Sequence, residues 1–318
     1  MVLAVALLAL GLVLLAGGAE ALVRGGAALA RRLGLTPLVI GLTVVAFGTS
    51  APELIVSVSS ACRGYGDLAV GNVVGSNIFN IAVILGLAAV LAPLQIQRAV
   101  IRREAPLMLG VMVLAAGLLW SGAVTRLAGI ALLVLLAAYT WGGIMLARRE
   151  AAADSEVGFD GTAGPVLARG LAVDLGLIAG ALGLLVIGSR FFVDGAMTIA
   201  RSLGVSEAVL GLTIVAAGTS LPELATSVVA ARRREADIAV GNILGSNIFN
   251  ILGVLGLTAV VRPVRAAGIM ILDLAVMIGL AAALLPLLAT GRRLERWEGA
   301  LLLAGFGVYL CLRWPAGG

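Results

Sequence analysis

The sequence predicts an all-α polytopic membrane protein of ten transmembrane helices, folded as two inverted five-helix repeats in which helices 2 and 7 are broken. Three observations carry that prediction. The chain of 318 residues is 61% hydrophobic and 12% charged, with a mean hydropathy of +1.13, outside the range of soluble domains. Its apolar stretches recur at the length that crosses a hydrocarbon core, about 20 helical residues. A shift of 170 residues superimposes Gly41–Ile81 on Gly211–Ile251 without a gap, and 27 of those 41 positions are identical.

Taken in order, the apolar segments fall at 2–23, 37–61, 68–92, 105–123, 127–147, 170–193, 206–231, 238–261, 266–290 and 297–314. An outer-membrane barrel would alternate apolar and polar residues along short strands, which these runs do not. The first segment lacks the basic start of a signal peptide and is long for its apolar core, and its repeat counterpart near 172–193 is internal. It is therefore helix 1. The polar stretch REAAADSEVGFDGTAGP separates helices 5 and 6 and is too short for a folded module. The chain divides into a first repeat (1–147), a cytoplasmic linker (148–169) and a second, inverted repeat (170–318).

Arginine placement sets the orientation. With both termini outside, the inner loops hold 14 arginines and the outer loops 6, as the positive-inside rule requires. Five helices per repeat make the second copy enter from the opposite face. The turn CRGYG carries one arginine and its repeat mate RRREA carries three, a difference that opposite faces explain. Inverted repeats with helices broken at mid-membrane are the build of secondary transporters.

Composition removes several chemistries. The chain has no His, and every one of its 22 basic residues is Arg. Serine–histidine and serine–lysine nucleophile pairs, pyridoxal Schiff bases and imidazole metal sites are thereby excluded. Cys62 and Cys311 alone build neither a thiolate cluster nor a disulfide framework. The net charge of +5 reads as membrane topology rather than a nucleic-acid footprint, and no organic cofactor is implied. Membrane lipid is the expected surrounding, and a monomer is compatible with the sequence.

Within helix 2 lies GTSAPEL (48–54), and within helix 7 GTSLPEL (218–224). Proline lacks an amide hydrogen and clashes with the carbonyl four residues back, so Pro52 and Pro222 are expected to disturb the helices at Gly48 and Gly218. Carbonyls at Ala46, Phe47 and Gly48, and at Ala216, Ala217 and Gly218, are expected to lose helical partners. Inside a membrane such backbone persists where it lines a cavity or meets a ligand. Thr49, Ser50, Thr219 and Ser220 add hydroxyls, and Glu53 and Glu223 add one carboxylate each. A carboxylate at mid-bilayer costs about 2.5–3.5 kcal/mol even on the lenient scale, which makes a symmetric pair a binding feature.

The second element is GNVVGSNIFN, repeated as GNILGSNIFN. Asn72, Ser76 and Asn80 lie four residues apart along one face of helix 3, and Asn242, Ser246 and Asn250 do so on helix 8. Gly71 and Gly75 allow a neighbouring backbone to approach closely. Asn77 and Asn247, off the stripe, suit interhelical hydrogen bonding as well as ion contact. Asp67 and Asp237 open helices 3 and 8, where a carboxylate complements the helix dipole. Glu20, Asp174, Asp194 and Asp273 have no acidic mate in the repeat and receive no role. Together the two halves gather carbonyl, hydroxyl and amide oxygens around two carboxylates, a coordination sphere for a hard cation. Two negative charges match one Ca²⁺, and equally two or more Na⁺ or two protons.

These paired strings resemble the alpha repeats of the cation/Ca²⁺ exchanger superfamily, specifically the prokaryotic Na⁺/Ca²⁺ exchangers, and the ten-helix layout extends the likeness over nearly the whole chain. The resemblance implies alternating-access antiport of Ca²⁺ against Na⁺. It carries Glu53, Glu223, Thr49, Ser50, Ser76, Asn80, Thr219, Ser220, Ser246 and Asn250 into the ion sites, and it implies that helices 1 and 6 slide across the remaining bundle. No large cytoplasmic regulatory insert of the animal kind is present. Some similar exchangers carry Asp where this chain has Asn250, so two formal charges rather than three face the cations. A Ca²⁺/H⁺ or K⁺-dependent exchanger is the near alternative. A cation channel is the alternative from another class, although channels usually take their pore from symmetry about the membrane normal.

Overall fold

A computed structural model describes residues 1–156, 170–203, 216–265 and 270–313, with the side chains of all of these except 150–156 and 216. The helices are α1 (Val2–Leu33), α2 (Pro37–Thr49), α3 (Ala51–Cys62), α4 (Gly66–Leu91), α5 (Val100–Trp120) and α6 (Arg126–Glu156), then α7 (Leu171–Ser202), α8 (Ala216–Thr219), α9 (Leu221–Arg232), α10 (Ala236–Val261), α11 (Ile271–Ala289) and α12 (Arg296–Arg313). Among the described residues, seven helices (α1, α4, α5, α6, α7, α10 and α11) are long and apolar enough to cross a membrane, and α2 with α3 makes an eighth if its bend is counted within one span. The protein is a helical, multi-pass membrane protein. The start of predicted helix 7 (206–215), part of the linker (157–169) and the chain beyond 313 lie outside the described residues.

Burial orders the helices. In α10, 83% of the most apolar window is buried inside the protein, and in α4 72%, against 11% in α6. The two helices bearing the Asn/Ser stripes therefore form the centre, and α6 turns its apolar side chains to lipid. The prediction for helix 1 ended at residue 23, yet α1 runs to Leu33. It stops at Gly34, which takes φ 62° while Leu35 N–H bonds the Ala30 carbonyl at 2.9 Å, a Schellman closure that a residue with Cβ would resist. Both α1 and α7 have 32 residues, about 48 Å of helix, so each must tilt or project beyond a core about 30 Å thick. Helix α6 likewise continues to Glu156, into the predicted linker.

Helices α1 and α7 pack antiparallel with almost no side-chain spacer. A Cβ on Gly11 would stand 2.5 Å from Phe192 N and 2.7 Å from the Gly188 carbonyl; one on Gly18 would stand 3.0 Å from the Ala181 carbonyl. These contacts come in exchanged pairs. Gly18 meets Ala181 and Gly188 meets Gly11; Gly25 meets Ile178 and Gly195 meets Leu8. In each pair, adding 170 to one partner and subtracting it from the other generates the second contact.

The same exchange relates Gly86 against Gly299 to Gly256 against Gly129. It also relates two short ribbons that the all-α expectation did not contain. Strand β1 (Leu94–Gln95) pairs antiparallel with β4 (Arg293–Leu294), and β2 (Ala123–Val124) pairs with β3 (Val264–Arg265). These loops turn sharply after a helix end, and their backbone groups find partners in a loop of the other half rather than in their own helices.

Candidate functional site

The site is built where the polypeptide bends. Pro52 occupies the second position of α3, where a missing N–H costs nothing, and its ring prevents the preceding helix from running straight on. Ser50 absorbs the change at φ −83°, ψ 10°, and α2 meets α3 at 44°. In the second half Ser220 takes φ −90°, ψ 9° ahead of Pro222 in α9. The break falls at the serine, two residues beyond the glycine expected to carry it. The Ala46 carbonyl is accordingly not released: Ser50 N–H bonds it at 3.1 Å, and the hydroxyls of Thr49 and Ser246 approach it at 3.3 and 3.4 Å. Ser220 N–H bonds Ala217 instead, and the Gly218 carbonyl accepts the Ser189 hydroxyl from α7 at 2.5 Å. Ala216 opens the described part of α8.

Each glutamate sits in the first turn after its break and is 1% exposed. The serines then reach across. Ser50 donates to Glu223 Oε1 at 2.7 Å, and Ser220 donates to Glu53 Oε1 at 2.9 Å. Each half thus holds the carboxylate of the other. Thr219 faces the Glu53 carboxylate and Thr49 faces that of Glu223. The second oxygens, Glu53 Oε2 and Glu223 Oε2, are buried and accept no hydrogen bond among the described residues.

Helices α4 and α10 supply the flanks. Ser76 Oγ stands 3.4 Å from Ser220 Oγ, and Ser246 and Asn250 are 0% and 1% exposed. Asn80 and Asn250 each begin a π-helical stretch, Asn80–Leu85 and Asn250–Leu255, which widens the helix at the stripe. Asn80 Nδ2 donates to Asn247 Oδ1 at 3.2 Å, leaving Asn80 Oδ1 without a partner, and both amide atoms of Asn250 and of Asn77 have none among the described residues. Buried amides of this kind ordinarily find partners. With the two carboxylate oxygens they are buried polar atoms that lack a hydrogen-bond partner among the described residues. Asn247 also donates to Met108 Sδ at 3.4 Å, which gives it the interhelical role that was one of its two readings.

Asn72 and Asn242, placed on the stripe by sequence but given no ligand role, brace the carboxylate-bearing helices. Asn72 donates to the Glu53 carbonyl at 3.1 Å and to Ser57 at 2.9 Å; Asn242 donates to the Glu223 carbonyl at 3.4 Å and to Ser227 at 2.9 Å. Asn242 Oδ1 also accepts the Thr49 hydroxyl at 3.1 Å, another contact between halves. Ser57 and Ser227 complete these braces, and their identity at the same place in both repeats is the sequence signal that marks them. Phe47 stacks on Phe249 with centroids 4.5 Å apart, and the repeat mate of Phe47 is Ala217, so this apolar cover exists on one side only. Asp237 accepts from Gln97 at 2.7 Å, while Asp174 pairs with Arg32 and Asp273 with Arg313.

Comparison with known proteins adds an independent line. The sequence profile of the family described as "Sodium/calcium exchanger protein" matches residues 3–145 and 173–314. The chain is 42% identical over 277 residues to the inner membrane protein YrbG of Escherichia coli, covering 85% of this chain and 84% of that one. It is 33% identical over 304 residues to the sodium/calcium exchanger MaX1 of Methanosarcina acetivorans, covering 84% and 86%. A solved structure of the sodium-calcium exchanger NCX_Mj superimposes with a TM-score of 0.83 at 30% identity over 98% of both chains. With a profile matching both halves and a solved exchanger superimposing end to end, this chain belongs to the sodium/calcium exchanger protein family.

Proposed function

We propose that the protein is a secondary antiporter that exchanges Ca²⁺ for Na⁺ by alternating access, with both ions using one site between Glu53 and Glu223. The observation that carries this reading is the crossed pair of hydrogen bonds, Ser50 to Glu223 and Ser220 to Glu53, with one oxygen of each carboxylate left without a partner among the described residues. Two carboxylates, the hydroxyls of Thr49, Ser50, Thr219, Ser220, Ser76 and Ser246, the amides of Asn80 and Asn250 and the carbonyls of Ala46 and Ala216 are hard oxygen donors of the kinds that Ca²⁺ accepts, and more than the roughly 6–8 that one Ca²⁺ takes at a time. Their chemistry offers nothing to an organic cofactor. Held by hydroxyls, and with no arginine paired to them among the described residues, the carboxylates have no fixed counter-charge to compete with a cation.

The exchanged contacts support ten spans in two inverted repeats (1–147 and 170–318), since a two-fold lying in the membrane plane generates such pairs. The close antiparallel packing of α1 on α7 supports their movement as one unit across the bundle, exposing the site to each side in turn. Arginine distribution supports an inner-membrane orientation with both termini outside.

The test is uptake of ⁴⁵Ca²⁺ into liposomes holding the purified protein. Na⁺-loaded vesicles diluted into Na⁺-free buffer are expected to accumulate Ca²⁺. Uptake that ignores the Na⁺ gradient and follows a pH gradient moves the assignment to Ca²⁺/H⁺ exchange, and unitary currents in a planar bilayer make the protein a channel.

A further inference from the structure

The Arg98–Arg102–Arg292 cluster lies away from the central site. The β1–β4 pairing, extended by Ile96 N–H to the Arg292 carbonyl at 2.9 Å, clamps the loop before α5 to the loop before α12. Arg98, Arg102 and Arg292 thereby line one open cleft of about 340 Å³, whose remaining wall is Ile101 and Ala289. All three guanidinium side chains are exposed, and among the described residues none has a carboxylate partner. Their neighbour Arg293 does have one, in Glu295 at 3.2 Å. Three like charges gathered without a counter-charge repel one another, so the fold gains nothing from the arrangement alone.

Two features show that the guanidinium groups are not there to make the corner. Arg292 takes φ 52°, a conformation that an L side chain adopts at a cost and glycine adopts freely. Its repeat mate at the matching turn is Gly122, with φ 86°. The mates of Arg98 and Arg102 are Gly268 and Leu272. The positive-inside rule explains arginines on this face. It does not explain why three from the two halves of the chain converge on a single cleft, one of them at a glycine position.

Trp297, 64% exposed in the first turn of α12, sets the depth. Exposed tryptophans at helix ends mark the headgroup level of a bilayer, and this one lies five residues from Arg292. We propose that the cleft binds the phosphate-bearing headgroup of an anionic phospholipid, with the guanidinium groups on the phosphate oxygens and Ile101 and Ala289 against the first acyl carbons. Arginine suits this role because its planar fork pairs with two phosphate oxygens at once. The proposal rests on the membrane location and not on exchange, so it stands or falls apart from the transport assay.

Native mass spectrometry of the detergent-purified full chain, titrated with phosphatidylglycerol and with phosphatidylcholine, tests it. Phosphatidylglycerol is expected to be retained preferentially, and each of Arg98→Gln, Arg102→Gln and Arg292→Gly to weaken that preference about fivefold, the three together on the order of a hundredfold. Arg292→Gly separates binding from folding, because glycine fits the turn better: its melting temperature should equal or exceed that of the parent while its lipid preference falls. A preference unchanged in the triple variant overturns the proposal, and so does a lower melting temperature for Arg292→Gly measured in lipid-free detergent, where bound lipid adds no stability. Glycerol phosphate or inorganic phosphate that displaces phosphatidylglycerol at equal concentration would assign the cleft to a soluble anion and overturn the lipid.

Discussion

Removing the Ser50 hydroxyl is the sharpest perturbation of the crossed site. Ser50 is fully buried, and its one strong side-chain contact is the 2.7 Å bond to Glu223 in the other half. Hydrogen bonds between neutral groups of membrane helices average about 0.6 kcal/mol, but a charged acceptor raises the value to about 1.5–3 kcal/mol. The upper range applies, because the bond is short and Glu223 Oε2 accepts no hydrogen bond among the described residues. Ser50→Ala should therefore shift the Ca²⁺ half-saturation of uptake by about tenfold to a hundredfold. The direction of coupling is more diagnostic than the size. In double-mutant cycles, the interaction energy with Glu223→Asp should reach about 1.5 kcal/mol or more, and that with Glu53→Asp should stay under about 0.5 kcal/mol. Ser220→Ala should show the mirror pattern, coupling to Glu53. A cycle in which Ser50 couples to Glu53, its own near neighbour in sequence, would refute the crosswise arrangement.

Three further outcomes follow from the same geometry. Asn250→Asp adds a third charge at a buried amide that has no partner among the described residues, and should raise cation affinity or alter the Na⁺ dependence of uptake; unchanged ion dependence would place this position outside the coordination sphere. Gly11→Ala should cut ⁴⁵Ca²⁺ uptake sharply, since its Cβ would meet backbone at 2.5 Å and overpacking costs about 1–3 kcal/mol, whereas Gly17→Ala, with nothing within 4 Å, should behave as the parent. Asn72→Ala removes the brace on the Glu53 carbonyl and should reduce uptake while leaving the melting temperature within a few degrees; a collapse in stability without any effect of milder variants such as Asn72→Ser on uptake would make it a packing residue alone.

Much of this arrangement was legible in the chain, and the illegible parts share a cause. The two glutamates, the serines before them and the Asn/Ser stripes announce themselves because each appears twice at the same spacing, and both glutamates lie buried where the motifs placed them. Helix ends were read short at Leu33 and Ser202 because mean hydropathy falls where arginines begin, yet the backbone continues helical until Gly34 offers a left-handed turn. The bend was expected at Gly48 because proline's clash points four residues back; the chain keeps the Ala46 bond and yields at Ser50 instead. Crossing could not be read locally at all. That Ser50 serves Glu223 rather than Glu53 depends on how the halves dock, as do the β1–β4 and β2–β3 ribbons. Departures from the repeat are as informative as matches. Ser189 caps the Gly218 carbonyl where the first half has Ala19, and Phe47 stacks where the second half has Ala217, so the halves are not interchangeable at the site.

Equilibrium binding of ⁴⁵Ca²⁺ to the purified protein, in Na⁺-free buffer and with no gradient, tests the central claim most directly. One site shared by both halves predicts a single Ca²⁺ per chain, lost in Glu53→Gln and lost equally in Glu223→Gln while both variants remain folded. A stoichiometry of two, or a variant that keeps its Ca²⁺ after losing either carboxylate, would contradict a common cage between them.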